Sequence, residues 1–351
     1  FISEIASDVQ YIPLETTADN PMRFIREVRY VNDKYYIYSA AEILCFDKSG
    51  SYLYKLSKQG KGPDEYLYLA DFDMIPEKNL VIVFSGSKIL YFSENNEGFQ
   101  FVKSVNLGER ASFANYLPGS ENILFNYGLG TGVNPFQGVV LNPEGDTLLK
   151  IPNRYMFTRI NPKLSIGYSF EHILLKTRDE LRYKCLFNDT IYEIDKELHI
   201  KPWLALNTGG KYMKPDFLKE IANPDMAGMA SQYLQIQDIK EYAGYLLFRY
   251  SLEKESFYRA YDLAAGTLHP IDAKLFLTDD IAGGVNIDPK TIYDGILYTW
   301  TDALTFKNHV AGESFKNSVV KDPSRKAQLG EFGSRLSETD NFILIRVTPK
   351  N

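Results

Sequence analysis

The feature that most constrains this chain is a turn that recurs behind the same kind of strand. Phe46-Asp47-Lys48-Ser49-Gly50 is echoed by Leu141-Asn142-Pro143-Glu144-Gly145 and, with one extra residue, by Tyr261-Asp262-Leu263-Ala264-Ala265-Gly266. Residues 93–98 form a longer version, and Ile194-Asp195-Lys196-Glu197 lacks the glycine. In each, a strand ends at a small polar residue that can bond its own backbone. Glycine, where present, supplies the positive φ that reverses the chain. A spacing of about 40 to 60 residues predicts a repeated four-stranded unit, the size of a β-propeller blade.

Short apolar runs fill the intervals, as evenly spaced strands require. The first set is Tyr35-Tyr36-Ile37-Tyr38, Ile43-Leu44-Cys45-Phe46 and Tyr52-Leu53-Tyr54-Lys55-Leu56. The second is Leu80-Val81-Ile82-Val83-Phe84, Ile89-Leu90-Tyr91-Phe92 and Phe101-Val102-Lys103-Ser104-Val105. A third spans Ile123-Leu124-Phe125, Val139-Val140-Leu141 and Leu148-Leu149-Lys150-Ile151. Further units are read at about 168–206, 235–275 and from 285 to the end. The expectation is an all-β chain: one six-bladed β-propeller of four-stranded antiparallel blades over residues 1–351. Helical insertions are predicted at about 213–232 and 322–337. In the second, Asp322 can cap, Pro323 suits the first turn, and Leu329, Phe332 and Leu336 share a stripe. A ring must close or expose edges. Val9-Gln10-Tyr11-Ile12-Pro13-Leu14 is expected to pair in the last blade beside the run that begins at Phe342.

Composition excludes several function classes. The net charge is −6 with no basic stripe, which argues against nucleic acid. No apolar run is long enough to span a bilayer as a helix. Cys45 and Cys185 stand alone in apolar strands of different units, predicting two buried free thiols. A chain opening on Phe1 reads as processed from a longer precursor. His172, His199, His269 and His309 are scattered without metal-ligand spacing, and no Gly-x-Ser-x-Gly elbow occurs. The 25 Tyr and 22 Phe are read first as packing between blades, with sugar stacking as the alternative.

Gly60-Lys61-Gly62-Pro63-Asp64-Glu65-Tyr66 lacks the Gly-Lys-Ser/Thr of a phosphate loop and reads as a rigid connection. Asp71 and Asp73, with Asp64 and Glu65 nearby, offer oxygens of the kind calcium takes, but without the ordered Asp-x-Asp-x-Asp-Gly spacing. No cofactor is expected, with calcium the alternative. In a propeller the innermost strands line a channel whose mouth binds ligands. Polar residues near the start of each unit are therefore the candidates: Arg26, Asp71, Asn115, Glu171, Asp238 and Asn286.

Four segments also carry a family resemblance: Tyr11-Ile12-Pro13-Leu14-Glu15-Thr16-Thr17, Lys58-Gln59-Gly60-Lys61-Gly62-Pro63-Asp64-Glu65-Tyr66, Asn188-Asp189-Thr190-Ile191-Tyr192, and Asp340-Asn341-Phe342-Ile343-Leu344-Ile345. With these the chain resembles the six-bladed, distantly NHL-like propellers exported as lipoproteins by Bacteroides-type bacteria. Phe342 stands where that family usually has Pro, which affects the start of the last strand. The resemblance implies export to the periplasm or cell surface, with a lipid anchor upstream of this chain. It carries over no catalytic residues. The functional expectation is a non-catalytic binding or scaffold propeller of the cell envelope. Its ligand would be a glycan, a peptide or a partner protein, held at the channel mouth or the inserted helices. The alternative is a metal-assisted lyase or hydrolase at the same mouth.

Overall fold

A computed structural model describes residues 1–107, 113–159, 167–177, 180–219, 230–271 and 276–350. Its described strands form six four-stranded antiparallel sheets. The first blade is β2 (Glu27–Val31), β3 (Lys34–Ser39), β4 (Glu42–Asp47) and β5 (Tyr52–Leu56). The second is β6 (Asp71–Ile75), β7 (Leu80–Ser85), β8 (Lys88–Asn95) and β9 (Gly98–Asn106). The third is β10 (Phe113–Tyr116), β11 (Ile123–Asn126), β12 (Phe136–Leu141) and β13 (Thr147–Pro152). The fourth is β14 (His172–Lys176), β15 (Leu181–Cys185), β16 (Thr190–Ile194) and β17 (Ile200–Ala205). The fifth is β18 (Gln235–Tyr242), β19 (Tyr245–Leu252), β20 (Glu255–Asp262) and β21 (Thr267–Ile271). The sixth joins β22 (Thr291–Tyr293), β23 (Ile296–Thr301) and β24 (Ile343–Pro349) to β1 (Ala6–Pro13) from the other end of the chain.

Apolar clusters shared by successive blades hold the ring together. Tyr36, Tyr38 and Cys45 pack on Phe72, Met74 and Val83; Ile82, Phe84 and Ile89 pack on Ala114, Ile123 and Phe125. The last interface returns to the first blade, with Tyr298 and Leu344 against Val28, Tyr35 and Ile37. Middle strands are covered on both faces. This is why Leu80–Ser85 reads as an unbroken apolar run, whereas the outermost strands leave Val102 and Leu268 exposed. Many tyrosines are core residues: Tyr35, Tyr36, Tyr66, Tyr91, Tyr242 and Tyr298 are fully buried.

The recurring turn works as its chemistry requires. The Asp47 carboxylate accepts from the Ser49 and Ser51 N–H groups at 2.8 and 3.0 Å, while Gly50 sits at φ +90°. Asn142 does the same for Glu144 and Asp146 at 3.1 and 2.8 Å. In the turn without glycine, Leu198 itself takes φ +66°. Gly50 has a second reason to lack a side chain: a Cβ there would lie 2.1 Å from the Pro13 carbonyl of the closing strand.

Closure pairs the expected segments, in a register that sets Val9 opposite Val347 and Ile12 opposite Leu344. Pro13 ends β1, where a missing N–H costs no ladder bond. Both cysteines are buried and free, in the first and fourth blades. The 60–66 segment is a rigid connection: Tyr66 is buried, and the Lys88 ammonium donates to the Gly62, Pro63 and Glu65 carbonyls at 3.1, 2.7 and 3.0 Å.

The helical insertions differ in extent from expectation. Of the 213–232 insertion, α1 (Pro215–Lys219) buries Phe217 and Leu218; residues 220–229 lie outside the described residues. Between β23 and β24 stand three helices, not one: α2 (Ala303–Ala311), α3 (Glu313–Asn317) and α4 (Pro323–Arg335). Asp302 and Asp322 cap α2 and α4 by accepting from the Thr305 and Arg325 N–H groups at 2.8 and 3.0 Å. Gly333 weakens α4 locally, yet a Cβ there would lie 2.3 Å from Val310, so the glycine lets the helices approach. Arg325 of α4 pairs with Asp8 and so also pins the closing strand.

Candidate functional site

Each inner strand (β2, β6, β10, β14, β18 and β22) is the first of its blade, and together they line the channel. Their starting ends define an upper mouth and their hairpin ends a lower one. Between the mouths the channel is crossed by charge. Arg29 of β2 lies 2.8 Å from Glu27 and 3.8 Å from Asp73 of β6; Lys176 of β14 reaches the same Asp73 at 2.5 Å. Asp73 also accepts from the Tyr116 N–H at 3.1 Å. Burial works against the charge of Asp73, but Lys176 and Arg29 outweigh it and hold its pKa below the ordinary carboxylate value. Burial likewise disfavours the Arg29 charge, and Glu27, Asp73 and Asp71 more than compensate. Asp71 is less well matched: burial pushes its carboxyl up to about 7 despite Arg29.

The six residues picked from the sequence fare differently. Arg26, on the upper rim just before β2, is exposed; it donates to the Tyr38 hydroxyl at 3.3 Å and lies 5.5 Å from that ring. Asp238 sits on β18 beside Lys240, with which it pairs. Both Arg26 and Asp238 line one cavity of about 250 Å³ at the upper mouth, between the fifth and sixth blades. Asp71 belongs to the channel network. Asn115 is half-buried on β10, opposite Leu124. Glu171 is occupied structurally: its carboxylate accepts from the Leu129, Gly130 and Tyr168 N–H groups at 2.8, 3.0 and 3.2 Å. Asn286 is exposed in the connection before β22 and is not among the cavity-lining residues.

The rest of that cavity escaped sequence reasoning. Asp288 and Lys290 immediately precede β22, as Arg26 precedes β2; starting the sixth unit at 285 placed the choice on Asn286 instead. Phe248, Tyr258, Phe276 and Trp300 form the aromatic wall, with Tyr258 and Phe276 edge to face at 4.6 Å. Lys290 donates to the Trp300 carbonyl at 2.8 Å and stands 4.6 Å from its ring. Burial raises the Asp288 pKa, opposed by Lys290, Lys240 and Arg249, and burial lowers that of Lys290.

The lower mouth holds a wider basin of about 730 Å³, where Tyr30, Tyr116 and Tyr293 meet Glu77, Asp294 and Lys176. Asp64 pairs with Lys58 at 3.2 Å, and Glu65 accepts from the Gly62 N–H at 2.7 Å. Among the described residues, the one group of three ligand-bearing side chains with donor atoms within 4.8 Å is Asp195, Glu197 and His199, on the outer turn of the fourth blade. The described helices include none long and apolar enough to cross a membrane.

Residues 2–348 match the family described as Domain of unknown function (DUF4934). The chain belongs to this family. No curated protein matches it. It is similar in structure to an inferred exported protein of Bacteroides fragilis, with TM-score 0.73, 21% identity, and coverage of 98% of this chain and 95% of that one. It also resembles a member of the DUF4221 family from Bacteroides vulgatus, with TM-score 0.56, 13% identity, and coverage of 99% and 98%. At such identities these likenesses speak for the family's fold alone. Its channel and cavity chemistry rests on the residues described above.

Proposed function

We infer that this propeller is a non-catalytic binding module of the cell envelope that takes its ligand at the upper-mouth cavity. One observation carries the reading: Arg26 and Asp238, from the first and fifth blades, converge on a concave site with an aromatic wall and a polar rim. That combination suits a ligand with one apolar face and several hydrogen-bonding groups. The charges of the channel, in contrast, are largely paired with one another, so they fit a structural role. Placement in the envelope draws on the exported Bacteroides fragilis relative. A lipid anchor upstream of this chain fits the same placement.

A combined glycan and peptide array on the whole chain tests the reading. Binding is expected, and Tyr258→Ala, which trims the aromatic wall, should weaken it by about tenfold while leaving circular dichroism unchanged. An array without signal, or one on which Tyr258→Ala binds as well as wild type, would refute it. A second reading, catalysis in the same cavity, draws on the raised Asp288 and lowered Lys290 pKa values. Cleavage of a bound ligand on prolonged incubation would favour it over simple binding.

A further inference from the structure

We propose that the upper-mouth cavity selects an acidic saccharide, one whose ring bears a carboxylate or a sulfate. This rests on the binding reading above and adds the class of ligand.

The chain as a whole carries −6. The cavity reverses that sign, since Arg26, Lys240, Arg249 and Lys290 line it against Asp238 and Asp288. Pairing then sorts these groups. Lys240 is taken by Asp238. Lys290 is held by the Trp300 carbonyl at 2.8 Å and faces Asp288. Arg249 sits opposite Asp238 in the ladder and is exposed; its charge acts on Asp288 from a distance, but its guanidinium makes no contact ion pair or side-chain hydrogen bond among the described residues. Arg26 has only the Tyr38 phenol as a polar partner there. Two guanidiniums, from the first and fifth blades, therefore border one concavity without a committed carboxylate. A guanidinium is a planar fork of donors that matches a carboxylate or sulfate better than any neutral group.

The aromatic wall and the size favour a sugar as the bearer of that anion. Trp300, Tyr258 and Phe276 line the cavity with aromatic carbon of the kind that suits the C–H side of a sugar ring. About 250 Å³ lies just below the usual range of small-molecule pockets, enough for a terminal sugar and small for a peptide stretch. A peptide C-terminus is commonly captured by successive backbone N–H groups; the cations here are side chains.

Calorimetric titration of the whole chain decides it, with glucuronic acid, galacturonic acid and glucose 6-sulfate set against glucose and galactose, at low and high salt. The acidic sugars should bind about tenfold or more tightly than the neutral ones, and salt should erode the difference. Comparing the uronic acids with the sulfate identifies which anion is preferred. Arg249→Ala should abolish the preference while leaving the weak binding of neutral sugars in place. Arg249→Lys should restore part of it, since the charge returns without the fork. Equal binding of acidic and neutral sugars overturns the charge argument while leaving the binding reading standing. So does a preference that survives Arg249→Ala and Arg26→Ala. Failure of every sugar, with capture instead of a short peptide through its free C-terminal carboxylate, overturns the saccharide assignment. Loss of all array binding is the separate failure of the underlying reading.

Discussion

Lys184 gives the sharpest test of the physics inside this ring. The residue is 1% exposed on β15, its ammonium bonded to the Tyr212 hydroxyl and, at 3.1 Å, to the Cys185 carbonyl. No carboxylate among the described residues pairs with it, and burial drives its pKa down from 10.5 to about 7. At about 1.4 kcal/mol per tenfold in proton affinity, that drop corresponds to at most about 4 to 5 kcal/mol of differential stability. The unfolded chain keeps the proton between about pH 7 and pH 10, where the folded chain has released it, so folded stability rises with pH through that window. Below the folded pKa the penalty is complete. Of the total, about 3 kcal/mol falls between about pH 6 and pH 9.5. Lys184→Met keeps the volume and removes the charge. It should stabilise the protein at about pH 6, where it replaces a buried cation. At about pH 9.5 that advantage should shrink by about 3 kcal/mol, and the small remainder is largely offset by the roughly 1 kcal/mol cost of a Tyr212 hydroxyl without its partner. Urea unfolding of both proteins at the two pH values measures this, because titrations common to both cancel in the difference. Should the wild-type and variant stabilities stay parallel across the window, the assigned burial of a neutral amine is wrong.

Two further perturbations address the channel and the closure. Asp73→Asn leaves Lys176 and Arg29 facing each other without their shared counter-charge and should cost about 3 to 5 kcal/mol in chemical unfolding; a loss below about 1 kcal/mol would show the pairs to be solvent-screened. Deleting residues 1–13 strips β1 from the sixth blade and bares the β24 edge beside Leu344, Ile345 and Val347. The truncated chain should aggregate or lose its cooperative thermal transition, and a monomeric product with an unchanged midpoint would show that closure contributes nothing.

Local chemistry makes much of the fold legible in the sequence. The Asp47 and Asn142 turns act within a few residues, so their recurrence counts units directly. Strands buried on both faces announce themselves as apolar runs, and the joining of the first strand to the last follows from the need to close a ring. The inner strands were harder to see for a physical reason. They carry the channel charges Arg29, Asp71, Asp73 and Lys176, and β22 is only three residues long, so no apolar run marks them. The helices around Ala303–Ala311 and Glu313–Asn317 were missed because they are short and owe their stability to Phe306, Val310 and Phe315 packing on Leu329 and Ile343.

The site shows where sequence stops. By itself the chain singled out polar residues at the start of its units, and two of the six, Arg26 and Asp238, line the same cavity. It did not determine which of the six would meet. That depends on the angular position of each blade and on strand register, including the irregularity between Ile236 and Asp238. Glu171, chosen by the same rule, is drawn into three backbone N–H bonds, two from a loop of the preceding blade and one from Tyr168 just before it. Turn geometry is written in neighbouring residues, whereas the cavity is written in the packing of blades far apart in the chain.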